Sequence, residues 1–112
     1  MVSIDSFRQL ALAFTEAVEA PHFEKASFRV TKKIFATLDI KNKKAVIKLS
    51  AIDQSVFCSF DKSIIYPAPG KWGLHGWTMI ELKLVRRAML QDALTIAYCT
   101  VAPEKLAKKY HQ

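Results

Sequence analysis

No stretch of about 18 apolar residues occurs in this 112-residue chain, so no segment reads as a helix spanning a bilayer. The opening MVSIDSFRQL also lacks the basic stretch and apolar core of a secretory signal. A cytoplasmic protein without a membrane partner is therefore the expectation. Cysteine is scarce: Cys58 and Cys99 stand alone, far apart and at neither metal-ligand nor redox spacing. In a reducing compartment they read as small apolar side chains. Catalytic signatures are missing too. There is no GxSxG, P-loop, HExxH or GxGxxG. The candidate bases are His22, His75 and His111, of which only His75 sits in a segment rich in other unusual residues. These absences predict no enzyme, no cofactor and no metal site.

Glycine is nearly absent as well, and its placement is informative. All three glycines fall in YPAPGKWGLHGW, residues 66–77, with both tryptophans and two of the four prolines. Pro69-Gly70 is a pair that a type II turn favours at its centre, and Gly73 and Gly76 offer positive φ beside large rings. Most of this stretch reads as a corner, with Trp77 buried at the start of a strand. Lys71, Trp72 and His75 remain candidates for contact, because an aromatic beside a cation suits base stacking or groove insertion.

What the chain has in excess is positive charge. The formal net charge is +7, and it belongs to one segment. Lys25, Arg29, Lys32, Lys33, Lys41, Lys43, Lys44 and Lys48 are opposed there only by Asp39, while the nine other cations match nine acids. Apolar residues alternate through the same segment: Ile34, Ala36, Leu38 and Ile40, then Ala45, Ile47, Leu49 and Ala51. Period-2 alternation predicts strands with one buried face. Pairing Ile40 with Ala45 puts both rows on that face and leaves Lys41, Lys43 and Lys44 at a tip where Asn42 takes the left-handed backbone. A turn at Thr31, Lys32 and Lys33, with Arg29 near it, lies at the other end of the sheet. On charge alone, a polyanion surface and merely solvated turns both stay open.

Elsewhere helical spacing dominates. Phe7, Leu10, Ala11, Phe14, Ala17 and Val18 predict an N-terminal helix capped by Ser3 or Asp5 and closed by Pro21. Ser50 and Asp53 form a capping-box pattern opening a short helix, with Phe57 and Phe60 expected in the core. WTMIEL alternates as a strand and pairs with residues 64–66. Val85, Met89, Ala93, Ile96, Ala97 and Thr100 mark a long helix, and Pro103 opens a final one. The expected architecture is a single α+β domain of order α-β-β-β-α-β-β-α-α. Its antiparallel sheet has about five strands, with the terminal helices packed on it.

FRVTKKIFATL, the VIKLS strand and YPAPGKWGLHGW leading into an alternating strand resemble the MmcQ/YjbR family of small bacterial proteins, over nearly the whole chain. The resemblance implies a frataxin-like α+β fold with two projecting hairpins and a proposed DNA-binding, double-wing role. By position, the first wing would carry Lys32, Lys33, Lys41, Lys43 and Lys44, and the second Lys71, Trp72 and His75. Frataxin-like iron binding does not follow, since the first helix and its surroundings offer only Asp5, Glu16, Glu19 and Glu24. The leading functional expectation is a non-enzymatic nucleic-acid module, duplex DNA ahead of RNA, held through phosphates because lysines outnumber arginines. The alternative is a protein-interaction or small-ligand module built on Trp72. Oligomeric state is left open.

Overall fold

Ser3 opens the first helix, its Oγ accepting the Ser6 amide at 3.0 Å, and α1 runs Ile4–Leu12. In this computed structural model, which describes residues 1–111, α1 ends well before Pro21. Residues expected to continue the helix instead form an edge strand, β1 (Val18–His22). A strand edge tolerates Pro21 because no neighbour needs its missing N–H. The helical spacing through Ala17 and Val18 was thus coincidental, and the sheet gains a sixth strand.

A meander follows: β2 (Lys25–Val30), β3 (Lys33–Asp39) and β4 (Lys44–Lys48). Next come α2 (Ala51–Cys58), β5 (Ile65–Pro67), a single helical turn α3 (Lys71–Leu74) and β6 (Trp77–Glu81). The long helix α4 (Arg87–Val101), α5 (Glu104–Ala107) and a 3-10 turn over Lys108–Tyr110 complete the chain. All strand pairs are antiparallel, in the order β1-β2-β3-β4-β6-β5. The α+β single-domain reading holds.

The β3–β4 register differs by two residues from the sequence expectation. Leu38 faces Ala45 and Asp39 faces Lys44. A two-residue shift preserves which side chains face inward, so Ala36, Leu38, Ala45 and Ile47 are all fully buried. Ile40, however, leaves the ladder and is 45% exposed. Asp39 decides this, because its carboxylate accepts the Asn42 amide at 3.1 Å and the Asn42 side-chain Nδ2 at 2.8 Å, closing the tip early. Lys43 rather than Asn42 takes the positive φ, at 54°.

Helix α4 packs across β3 and β4 and touches α1, so the helices cover one face of the sheet. A bulge opposite Phe28 and Arg29 carries Phe35 into this layer, where it meets Phe14 and Tyr98 edge-on at 6.1 and 5.6 Å. Tyr98 is fully buried and donates its hydroxyl hydrogen to the Thr15 carbonyl at 2.7 Å. Among the described residues no helix lies over the other face. Thr37, Val46, Met79 and Tyr66 form a cross-strand row there, each half-buried. The cysteines are half-buried and unpaired, with burial pushing both thiols up.

Candidate nucleic-acid interface

Successive turns of a meander alternate between the two ends of the sheet, and this divides the sequence-predicted contact residues. Val30 pairs with Lys33, so the first basic turn is Thr31–Lys32 alone. Both residues have positive φ, 49° and 70°, the signature of a type I′ hairpin. Asn-Gly is the usual occupant; here a β-branched residue and a lysine hold the positions, with Thr31 Oγ1 donating to the Val30 carbonyl at 2.7 Å. Lys32 and Lys33 are exposed. Arg29 lies on the open face, its Nε donating to Ser27 Oγ at 3.0 Å, and Ser27 in turn donates to the Ala20 carbonyl.

The corner of Lys71, Trp72 and His75 lies at this same end, because β6 starts there opposite Lys48. Lys48 reaches the His75 carbonyl with its ammonium, which also stands 5.3 Å from the Trp77 ring centre. Trp72 is 66% exposed, and Lys71 and His75 are exposed beside it. The corner itself is built by close approach. A Cβ on Gly76 (φ +93°) would stand 1.9 Å from the Leu49 carbonyl oxygen, and one on Gly73 would stand 2.2 Å from that of Ala68. The type II turn expected at Pro69-Gly70 does not form: Gly70 has φ 66° but ψ −145°, and it opens α3 instead. Trp77 starts β6 as expected, but it is half-buried rather than buried.

Lys41, Lys43 and Lys44 fall at the opposite end, roughly 20 Å away along the seven residues of β3. They are not equivalent. Lys41 and Lys43 are exposed, whereas Lys44 stands in β4 with its ammonium 3.5 Å from Glu81. Glu81 also accepts the Tyr66 hydroxyl, so one carboxylate serves two neighbours. Glu81 raises the Lys44 pKa, and the hydrogen bond to it raises that of Tyr66. This strand pairing skips over β5 in the chain, which is why the Lys44–Glu81 contact was invisible in the sequence. By contrast Lys32, Lys33, Lys41, Lys43 and Lys71 have no carboxylate within 4.0 Å among the described residues.

One residue of this end escaped the sequence reading. Phe23 tips the β1–β2 hairpin at φ 57° and is 93% exposed, beside the tip that carries Lys41 and Lys43. Its signal was PHFEK, an aromatic in a polar turn, obscured by the helix assigned before it. Phe60 corrects another expectation: it is 64% exposed rather than core, while Phe57 packs against the core. Among the described residues no group of three or more His, Cys, Asp or Glu is placed to hold a metal ion. No helix among them is long and apolar enough to cross a membrane.

The YjbR family model matches residues 12–100, which include every strand and both basic turns. The chain belongs to the YjbR family. The crystal structure of Deinococcus radiodurans protein DR2400, a DUF419 domain, is similar to this YjbR chain with a TM-score of 0.81 at 19% identity. The alignment covers 98% of this chain and 88% of that one. At that identity the likeness concerns the fold. No curated protein matches the chain.

Proposed function

We propose that this YjbR protein is a non-enzymatic nucleic-acid-binding module that grips duplex DNA through its phosphates. One observation carries the reading: exposed lysines without acidic partners occupy hairpin tips, two of them, Lys32 and Lys43, at positive φ where glycine costs less. A turn that needed only solubility would be served by Asn-Gly. Keeping a lysine in left-handed backbone costs about 1–2 kcal/mol, which a contact made by the ammonium group offsets.

The spacing favours a polymer over a small anion. Two basic ends roughly 20 Å apart exceed the reach of a nucleotide, whereas a duplex presents a phosphate charge about every 1.7 Å along its axis. The end with Lys32, Lys33, Lys71 and Trp72 is the main grip, and Lys41 with Lys43 adds a second. Lys44 contributes least, because Glu81 already neutralises it. Lysine presents a point charge rather than a bidentate fork, so sequence preference is weak. The alternative of a protein or small-ligand module rests on the exposure of Trp72 alone. Two surface grooves, one lined by Asp53, Thr95 and Tyr110 and another by Glu19, Phe23 and Ile40, do not include Trp72, Lys71 or His75.

Fluorescence anisotropy with a labelled duplex tests the proposal across a salt series. The expected slope of log affinity against log salt is roughly −3 to −5, for four or five engaged lysines. Replacing Lys32 and Lys33 by Gln should flatten it by about 2, and Lys44→Gln should barely change it. Absence of binding at low salt, or equal loss from all three positions, overturns the reading.

A further inference from the structure

Neutrality in the sequence outside residues 25–48 conceals a local excess of charge in space. Residues 82–91 hold Lys83, Arg86 and Arg87 and no acid. All three are exposed, and none has a carboxylate within 4.0 Å among the described residues. The acid just before them, Glu81, is already shared by Lys44 and Tyr66. Three cations are left uncommitted.

Backbone hydrogen bonds fix where they stand. Leu82 donates its amide to the Lys43 carbonyl at 3.0 Å, so Lys83 lies directly beside the β3–β4 tip. Leu82 also accepts the Val2 amide at 2.9 Å, and the Leu84 and Val85 amides both return to the Glu81 carbonyl, at 3.1 and 3.0 Å. Leu82 and Val85 are fully buried, which pins the turn at both ends. Arg87 stands at most about 14 Å from Lys83, the reach of four extended residues. Lys41, Lys43, Lys83, Arg86 and Arg87 therefore share one end of the sheet.

Helix α4 gains nothing from its arginines. Arg86 is the N-cap of this 15-residue helix and Arg87 its first residue, yet Arg86 makes no side-chain cap and the first turn has no acid. Helix starts favour Ser, Thr, Asp or Asn at the cap and acids in the first turn, because the helix dipole is positive there. Cations at this position work against the helix, as Lys32 and Lys43 at positive φ work against their hairpins. We propose that the side chains of Lys83, Arg86 and Arg87 complete a phosphate-binding surface with Lys41 and Lys43, an inference that rests on the nucleic-acid reading of this chain. The second grip is then a cluster of five cations rather than two lysines. Its two guanidinium groups each take two oxygens of one phosphate, where an ammonium offers a point charge. Five cations on two segments match a run of successive phosphates, whereas a small anion would satisfy only one or two of them. A lipid surface fits less well, since Leu84 is the one large apolar side chain exposed in residues 82–91 and offers little area to insert.

Fluorescence anisotropy of the full chain with a labelled duplex tests the proposal. Lys83→Gln, Arg86→Gln and Arg87→Gln together should weaken binding at low salt at least tenfold and flatten the slope of log affinity against log salt by about 2–3. The melting temperature of this variant should hold, because the replaced side chains are exposed and disfavour the helix start. Arg86→Lys with Arg87→Lys should keep the slope, the charge being retained. Lys105→Gln, Lys108→Gln and Lys109→Gln remove the same charge past the other end of α4 and should shift the slope by less than about 0.5. Unchanged duplex binding after the first triple replacement, or an equal loss from the second, overturns the inference and leaves the hairpin lysines as the grip. No duplex binding by the unmodified chain overturns it together with the nucleic-acid reading. Binding to phosphatidylserine vesicles that the first variant loses while keeping its duplex affinity assigns the patch to a lipid surface and also overturns the inference.

Discussion

The corner at residues 66–77 and the two lysine hairpins both turn the chain, yet they use glycine in opposite ways. In the corner, Gly73 and Gly76 stand where backbone passes so close that a Cβ would overlap a carbonyl oxygen. In the hairpins there is ample room and a left-handed backbone, and glycine is absent: Thr31, Lys32 and Lys43 take φ of 49°, 70° and 54°. Gly73 and Gly76 thus mark where packing dictates the residue, whereas Gly70, with nothing near its Cβ position, answers to its backbone angles of φ 66° and ψ −145°. The missing glycines mark where a side chain is kept against the backbone's preference. Backbone strain identifies the positions at which the fold would accept a less strained residue.

Substitutions can break this contrast from either side. The largest effect is expected at Gly76→Ala, where left-handed strain and overlap with Leu49 together cost roughly 3–5 kcal/mol. Urea denaturation reads this directly, and a loss below about 1 kcal/mol would mean that the corner yields easily. In the opposite direction, Thr31→Asn with Lys32→Gly installs the favoured type I′ pair and should stabilise the protein by roughly 0.5–1.5 kcal/mol. Duplex affinity should fall in the same variant. Greater stability with unchanged affinity would show that the lysine is there for some reason other than phosphate contact.

The smallest expected effect concerns the tip at Asn42. The Asn42 side chain, aided by its amide and the charges of Lys25 and Lys44, holds the Asp39 carboxyl below the usual range. A depressed folded pKa contributes stability above the unfolded value that is lost as pH falls through the folded one. The β3–β4 tip should therefore loosen only below about pH 4, ahead of the Thr31–Lys32 turn, which no carboxylate holds. Carboxyl and amide NMR shifts across an acid titration check this. Simultaneous loosening of both tips would remove the distinction.

Periodicity made most of the fold legible. The caps at Ser3 and Ser50, the alternation in β3, β4 and β6, and the spacing in α4 each reflect local chemistry, and each element formed. What failed depends on neighbours distant in sequence. Val18–His22 became a strand because β2 was there to pair with it, and Pro21 could be tolerated only once that strand lay at the edge. Phe35 turned inward through a bulge that alternation cannot reveal. Among the candidate site residues, the lysine cluster was visible as composition. Its division between two ends follows from meander topology, and the neutralisation of Lys44 follows from β6 inserting beside β4. Phe23 was missed because a wrong helix boundary placed its neighbours in the wrong element.

Both borders of the sheet are poor templates for further growth. β1 contains Pro21, and β5 is three residues long and ends at Pro67. Each proline lacks the hydrogen that an added strand would have to accept, and a three-residue edge offers little ladder to extend. A protein concentrated along a polyanion is brought into contact with many copies of itself. With its sheet borders blunted in this way, crowding on the DNA proposed as its partner would meet little free ladder for strand addition.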